Sequence, residues 1–208
     1  DARGFVVKHF KIQFKNGDLS TGKNRLIFEV ANRFVANFLS KEIALLKDGK
    51  NKLKIIATEE NLSAEITIEG IDFPIKLHGQ VDRVDELNGV LRIIDYKTGM
   101  VTAANLRVPE FENLRDEKHL KAIQVLLYAY LFAKSKNYKF TQPLEAGIYS
   151  FKNLNGGFLP IDFALPRKKP ETSITQEKLE EFIEKLKTYI KEIYTPEIGF
   201  VEPADLRY

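Results

Sequence analysis

Residues 77 to 99, LHGQVDRVDELNGVLRIIDYKTG, decide how the chain is read. Two runs with β-branched residues at alternating positions, 75–85 and 90–97, meet at Asn88-Gly89, a pair suited to the two positive-φ positions of a type I′ hairpin turn. With these two as the turn, Leu87 faces Val90 and every further cross-strand pair keeps the same residue sum. Val84 then faces Ile93, Asp82 faces Asp95 and Gln80 faces Lys97, all on one surface of the sheet. Asp95 and Lys97 are two apart and point the same way, while Tyr96 points to the other side.

Like charges directly opposite one another are destabilising, and Val81, Ile93 and Ile94 leave little water to screen this pair. A cation between the aspartates resolves the conflict. Lys97 supplies one positive charge. A divalent metal is the natural further candidate, because Mg²⁺ is typically held by one or two carboxylates together with waters and substrate phosphate. On the opposite face Asp85 falls across from Arg92, which reads as an ordinary cross-strand ion pair.

The composition narrows the class. With 208 residues and 44% hydrophobic content the chain can bury a real core and fits one domain, 1–208, with its core over about 23–165 and a C-terminal helix and tail over 175–208. The net charge of +3 is only a weak pointer to an anionic partner. There is no cysteine, which excludes disulfides and any thiolate zinc or iron–sulfur site built from this sequence and suits a cytoplasmic location. No apolar run approaches a bilayer span, and the N-terminus lacks a signal-peptide layout. A first residue Asp1 suggests an excerpt of a longer polypeptide.

Outward from the hairpin, residues 4–14 read as a strand or approach segment, with His9 given no role. Ser20 or Thr21 can cap a helix over 23–47 that ends at Gly49; its stripe of Leu26, Val30, Phe34, Phe38 and Leu45 is expected in the core. Glu29 and Glu42 on that helix are candidates for a third acidic ligand. Strands are expected over 53–58 and 62–69, with Glu59, Glu60 and Glu65 near their turns and edges. The stretch after Lys97 has little periodicity, and a flap over substrate is its expected role. A helix over 117–136 buries Leu120, Ile123, Leu127, Tyr130 and Leu131, and sets Gln124 and Tyr128 on a neighbouring face. Strands over 145–151 and 158–163 follow, then an amphipathic helix over 175–194 with Thr175 as its cap, and a tail folding back through Phe200.

Gly79-Gln-Val-Asp82, the hairpin, Ile94-Asp95-Tyr96-Lys97 and a helix carrying Gln124-x-x-x-Tyr128 resemble the nuclease module of RecB and AddB, within the PD-(D/E)xK nuclease superfamily. The similarity covers about residues 55–200 and places three separated motifs in order on the expected elements. It implies a restriction-endonuclease-like α/β fold, a central mixed β-sheet flanked by helices. It implies Mg²⁺- or Mn²⁺-dependent DNA hydrolysis, in an exonuclease working with helicase domains or subunits in recombination and repair; the alternative is a catalytically inactive module binding DNA or a protein partner. Carried over by position, Asp82, Asp95 and Tyr96 are the metal residues, Lys97 assists the attacking water, and Gln124 and Tyr128 help to hold the site and the DNA. Lys97 can do so by orienting or deprotonating that water, or by stabilising negative charge. Two features of the family have no counterpart here: an upstream Gly-x-x-x-His segment that completes the metal site, for which Glu29 or an acid near Glu59 and Glu60 can substitute, and the cysteines that many AddB-type members use for an iron–sulfur cluster.

Overall fold

The computed structural model describes residues 2–199. Five strands, β1 (Leu53–Ile66), β2 (Ile75–Leu87), β3 (Val90–Lys97), β4 (Leu144–Ser150) and β5 (Phe158–Pro160), form one sheet in that spatial order. β1–β2, β2–β3 and β4–β5 are antiparallel, whereas β3–β4 is parallel. The parallel step follows from the connection. β3 and β4 are joined by a crossover through a helix, which returns the chain to the end where β3 began. This mixed sheet with flanking helices is the restriction-endonuclease-like architecture expected from the sequence.

The helices are α1 (Ala2–Gln13), α2 (Gly22–Leu46), the crossover helix α3 (Leu120–Ser135) and α4 (Gln176–Ile193). α3 covers one face of the sheet, where Val125, Leu126 and Ala129 meet Val84, Ile93 and Ile148 in the main core. α4 packs outside α3 through Leu179, Phe182 and Ile183, and Thr175 caps it by accepting a hydrogen bond from the Lys178 N–H. α2 lies on the other face, where Phe38 packs edge-on against Tyr96 and Tyr149.

Several expectations are revised. Residues 4–14 belong to α1: Val6, Phe10 and Phe14 recur every four residues, Phe10 packs on Phe28 of α2, and this helical period outweighs the β-branched content. The two strands expected over 53–69 are one, because a register shift between Ile55 and Ala57 and a positive φ of 51° at Glu59 absorb the breaks without ending the pairing. The α2 stripe is core only in part: Phe34, Phe38 and Leu45 are half-buried, but Leu26 is 65% and Val30 42% exposed. The segment after Lys97 is no free flap. Val101, Leu106, Val108, Phe111 and Leu114 are buried along it, and the buried Ser150 hydroxyl pins it by donating to the Gly99 carbonyl and accepting from the Val101 N–H. β5 stops at Pro160, after which one bridge joins Asp162 to Arg107. The expected fold-back through Phe200 lies outside the described residues.

Candidate active site

The β2–β3 hairpin has the expected turn and register. Asn88 and Gly89 take φ of 54° and 84°, and pairing runs from Leu87↔Val90 to Arg83↔Ile94. It stops one pair short of Asp82 and Asp95. In an antiparallel ladder the next hydrogen-bonded rung would join the Tyr96 N–H to the Val81 carbonyl. The Tyr96 N–H donates instead to Asp82 Oδ2, at 2.7 Å. A side-chain carboxylate thus replaces a main-chain acceptor, and the strands part there.

The in-out alternation also slips at this point. Val81 and Val84, three apart, are both buried in the same core, while Arg83 between them turns to α2. Asp82 is therefore not ladder-paired with Asp95, and Gln80 does not face Lys97: its Nε2 donates to the Glu59 carbonyl at 3.4 Å.

Asp95 and Lys97 do share a face. Lys97 Nζ lies 3.1 Å from Asp95 Oδ1 and 2.9 Å from Oδ2. Asp95 is 4% exposed, and burial raises its pKa; Lys97 pulls it back down and the nearby charge of Asp82 pushes it up again. Its Oδ2 is buried and, although close to Lys97, outside hydrogen-bond geometry. Two mutually repelling carboxylates, one of them with a buried oxygen lacking a hydrogen bond, suit a hard cation that keeps most of its other ligands as water or phosphate.

No third carboxylate joins them: among the described residues no cluster of three or more His, Cys, Asp or Glu is placed to hold a metal. Glu29 pairs with Arg3, Glu60 with Lys136, and Glu42 with Arg83 on the opposite face. Glu59 aligns with Asp82 in the β1–β2 register but occupies the positive-φ kink. Tyr96 offers the site only its main chain. Its ring packs among Phe38, Tyr149 and Phe151, its hydroxyl accepts from Arg83 Nη1 at 3.2 Å, and burial pushes its pKa up to about 12 against the opposing pull of Arg83.

Gln124 and Tyr128 meet each other, one turn apart on α3, with Gln124 Nε2 donating to the Tyr128 hydroxyl at 3.0 Å. The Tyr128 ring lies on Gly79, three residues before Asp82, where a Cβ would come within 2.7 Å of Tyr128 Cε1. Among the described residues neither side chain hydrogen-bonds to Asp82, Asp95 or Lys97. The glycine is thus the seat of the α3 tyrosine, a role that spacing alone does not reveal.

Beneath the site lies a second charged group, one the sequence reading underrated. Asp85 is fully buried and accepts from Arg83 Nε at 2.7 Å and from Arg92 Nε and Nη2 at 2.7 and 2.9 Å; Arg83 Nη1 also lies 2.9 Å from Glu42 Oε1. The result is a four-membered chain, Glu42–Arg83–Asp85–Arg92, tying α2 to the hairpin. The signal was present, since Arg83, Asp85 and Arg92 fall on one face in the hairpin register.

With this geometry in view, the comparison with known proteins is direct. The PD-(D/E)XK nuclease superfamily model matches residues 21–204. The chain belongs to the PD-(D/E)XK nuclease superfamily. Members of the superfamily are generally nucleases and typically use divalent metals. The chain is also similar to the solved structure of SSO0001, at 13% identity over 98% of this chain and 96% of that one, with a TM-score of 0.30. No curated protein matches it. Among the described residues of this PD-(D/E)XK protein, no helix is long and apolar enough to cross a membrane.

Proposed function

We propose that this PD-(D/E)XK protein is a Mg²⁺- or Mn²⁺-dependent DNA nuclease, an exonuclease of the RecB/AddB kind working with helicase domains or subunits in recombination and repair. The observation that carries the reading is the parting of β2 and β3 at Asp82, beside the buried Asp95–Lys97 pair. Asp82, Asp95 and the main chain of Tyr96 would hold the metal. The bound ion would neutralise phosphate charge and lower the pKa of the attacking water. Lys97, partly exposed and held by Asp95, orients that water and stabilises negative charge on the phosphorane-like transition state. Gln124 holds the Tyr128 hydroxyl, and Tyr128, set against Gly79, fixes α3 to the strand that carries Asp82.

Asp95→Ala and Lys97→Ala should each abolish metal-dependent DNA degradation with an unchanged circular-dichroism spectrum; retained cleavage by either sinks the assignment. Degradation of linear but not closed circular DNA is the outcome expected of an exonuclease. The lack of a third carboxylate among the described residues favours a second reading, a nuclease fold that binds DNA or a protein partner without cutting. Calorimetric titration with Mg²⁺ and Mn²⁺ separates the two, since the non-cutting module would bind neither ion.

A further inference from the structure

α2 runs antiparallel to β3 and β4 and outlasts them. Glu42 reaches Arg83, which pairs with Ile94; one turn earlier Phe38 meets Tyr96 and Tyr149; one turn earlier again Phe34 stacks on Phe151, just past the end of β4. The sheet end marked by Lys97 is thus level with Phe34. Before Phe34, the ring and ion-pair partners of α2 lie on α1: Phe10 packs on Phe28, and Arg3 pairs with Glu29. From Phe34 back to Gly22 the helix extends about 18 Å further, at about 1.5 Å per residue. The α1–α2 hairpin is therefore an arm projecting beyond the candidate catalytic end of the sheet.

The charge of this arm sets it apart. Residues 2–34 contain seven Lys and Arg against two acids, whereas the whole chain has 32 against 29, so the remainder carries a slight acidic excess. Both acids of the arm are already engaged: Glu29 by Arg3, and Asp18 by the Ser20 and Thr21 hydroxyls and the Ser20 N–H. Many cations elsewhere have carboxylate partners, as in Arg107–Asp162, Arg115–Glu192 and Lys185–Glu112. On the arm, Lys8, Lys11 and Lys15 are exposed at helical spacing on the side of α1 turned away from Phe10 and Phe28. Arg33 lines a groove of about 700 Å³ between the two helices, and the buried Asn32 Oδ1 beside it has no hydrogen-bond partner.

We propose that the α1–α2 arm is a nucleic-acid-binding element: its unpaired cations hold the phosphodiester backbone of the DNA several nucleotides away from the bond cut at Asp82 and Asp95. The assignment rests on the nuclease reading above. At about 3.4 Å per base pair, the 18 Å projection tracks roughly five base pairs of duplex. Each phosphate neutralised releases counterions, so the arm makes affinity steeply salt-dependent.

The test is fluorescence anisotropy of the 208-residue chain with a labelled 20-base-pair DNA, with Ca²⁺ in place of Mg²⁺, across a series of salt concentrations. Lys8→Glu/Lys11→Glu/Lys15→Glu should weaken binding at least tenfold at 100 mM salt and lower the slope of log K against log salt by about 2 to 3. The milder Lys→Gln triple variant should fall between it and the unmodified chain. Lys168→Glu/Lys169→Glu, in the basic loop before α4, controls for net charge and should change affinity less than threefold. Equal losses in the arm and loop variants overturn the proposal, as does unchanged DNA binding. DNA binding that survives while self-association seen by sedimentation is lost would assign the arm to protein contact, and also overturns it. Hydrolysis of bis-p-nitrophenyl phosphate by the unmodified chain with Mn²⁺ tests the nuclease reading alone; its failure would leave the binding result standing.

Discussion

Asp82 accepts the main-chain N–H of Tyr96 at 2.7 Å, so one carboxylate both ends the β2–β3 ladder and lies at the candidate metal site. The two duties separate by substitution. Asp82→Asn keeps an acceptor but loses the charge: its urea midpoint should stay close to that of the parent while metal-dependent cleavage falls at least a hundredfold. Asp82→Ala loses both, and should cost about 1–3 kcal/mol of stability in addition. Equal stability of the two variants would remove the structural half of this account.

Burial raises the pKa of Asp95 in the metal-free chain. For a carboxylate this means that the folded state holds its proton more tightly than the unfolded one, so stability falls as pH rises from the ordinary carboxylate value through the raised one. Asp95→Asn removes that penalty, because Lys97 is exposed enough to be solvated alone. The variant should have the higher urea midpoint at neutral pH, with the gap closing as pH drops towards about 4. Added Mg²⁺ should raise the melting temperature of the parent and leave that of Asp95→Asn unmoved.

A Cβ at Gly79 would overlap the Tyr128 ring. Gly79→Ala should therefore cost about 1–3 kcal/mol and lower cleavage with it. Adding Tyr128→Ala removes the clash, so the double variant should be more stable than the sum of the single effects predicts, read from a thermodynamic cycle of urea melts.

The Glu42–Arg83–Asp85–Arg92 chain is buried, and removing one member strands its partners. Asp85→Ala should cost about 3–5 kcal/mol by leaving two arginines without their shared carboxylate. Glu42→Gln should leave Mg²⁺ affinity unchanged in calorimetry, because Glu42 faces away from Asp95; a weakened affinity would return it to the list of metal ligands.

What could be read before folding was local. Asn88-Gly89 dictated the turn, and the turn dictated that Val84 faces Ile93 and Asp85 faces Arg92. The Asp95–Lys97 contact followed from spacing two along a strand. The reading failed where one residue breaks a period. Alternation predicts that Asp82 lies across from Asp95 as a ladder pair, but the slip between Val81 and Val84 turns its carboxylate to the Tyr96 N–H. The misreading of residues 4–14 has a similar origin, since Val6-Val7 suits a strand and only Phe28, eighteen positions beyond Phe10, makes the helical face worth forming. Glu42 could not be excluded from the metal site on helix spacing alone, because its partner Arg83 is forty-one residues away.

Tyr96 has its main chain on one side of the sheet and its ring on the other. The same residue positions an aspartate of the candidate cradle and receives Phe38 of the helix that becomes the projecting arm. A load on that arm has a short mechanical route to the cradle: the lever is α2, the bearing is one aromatic ring, and the part that moves is the peptide N–H that keeps Asp82 in place.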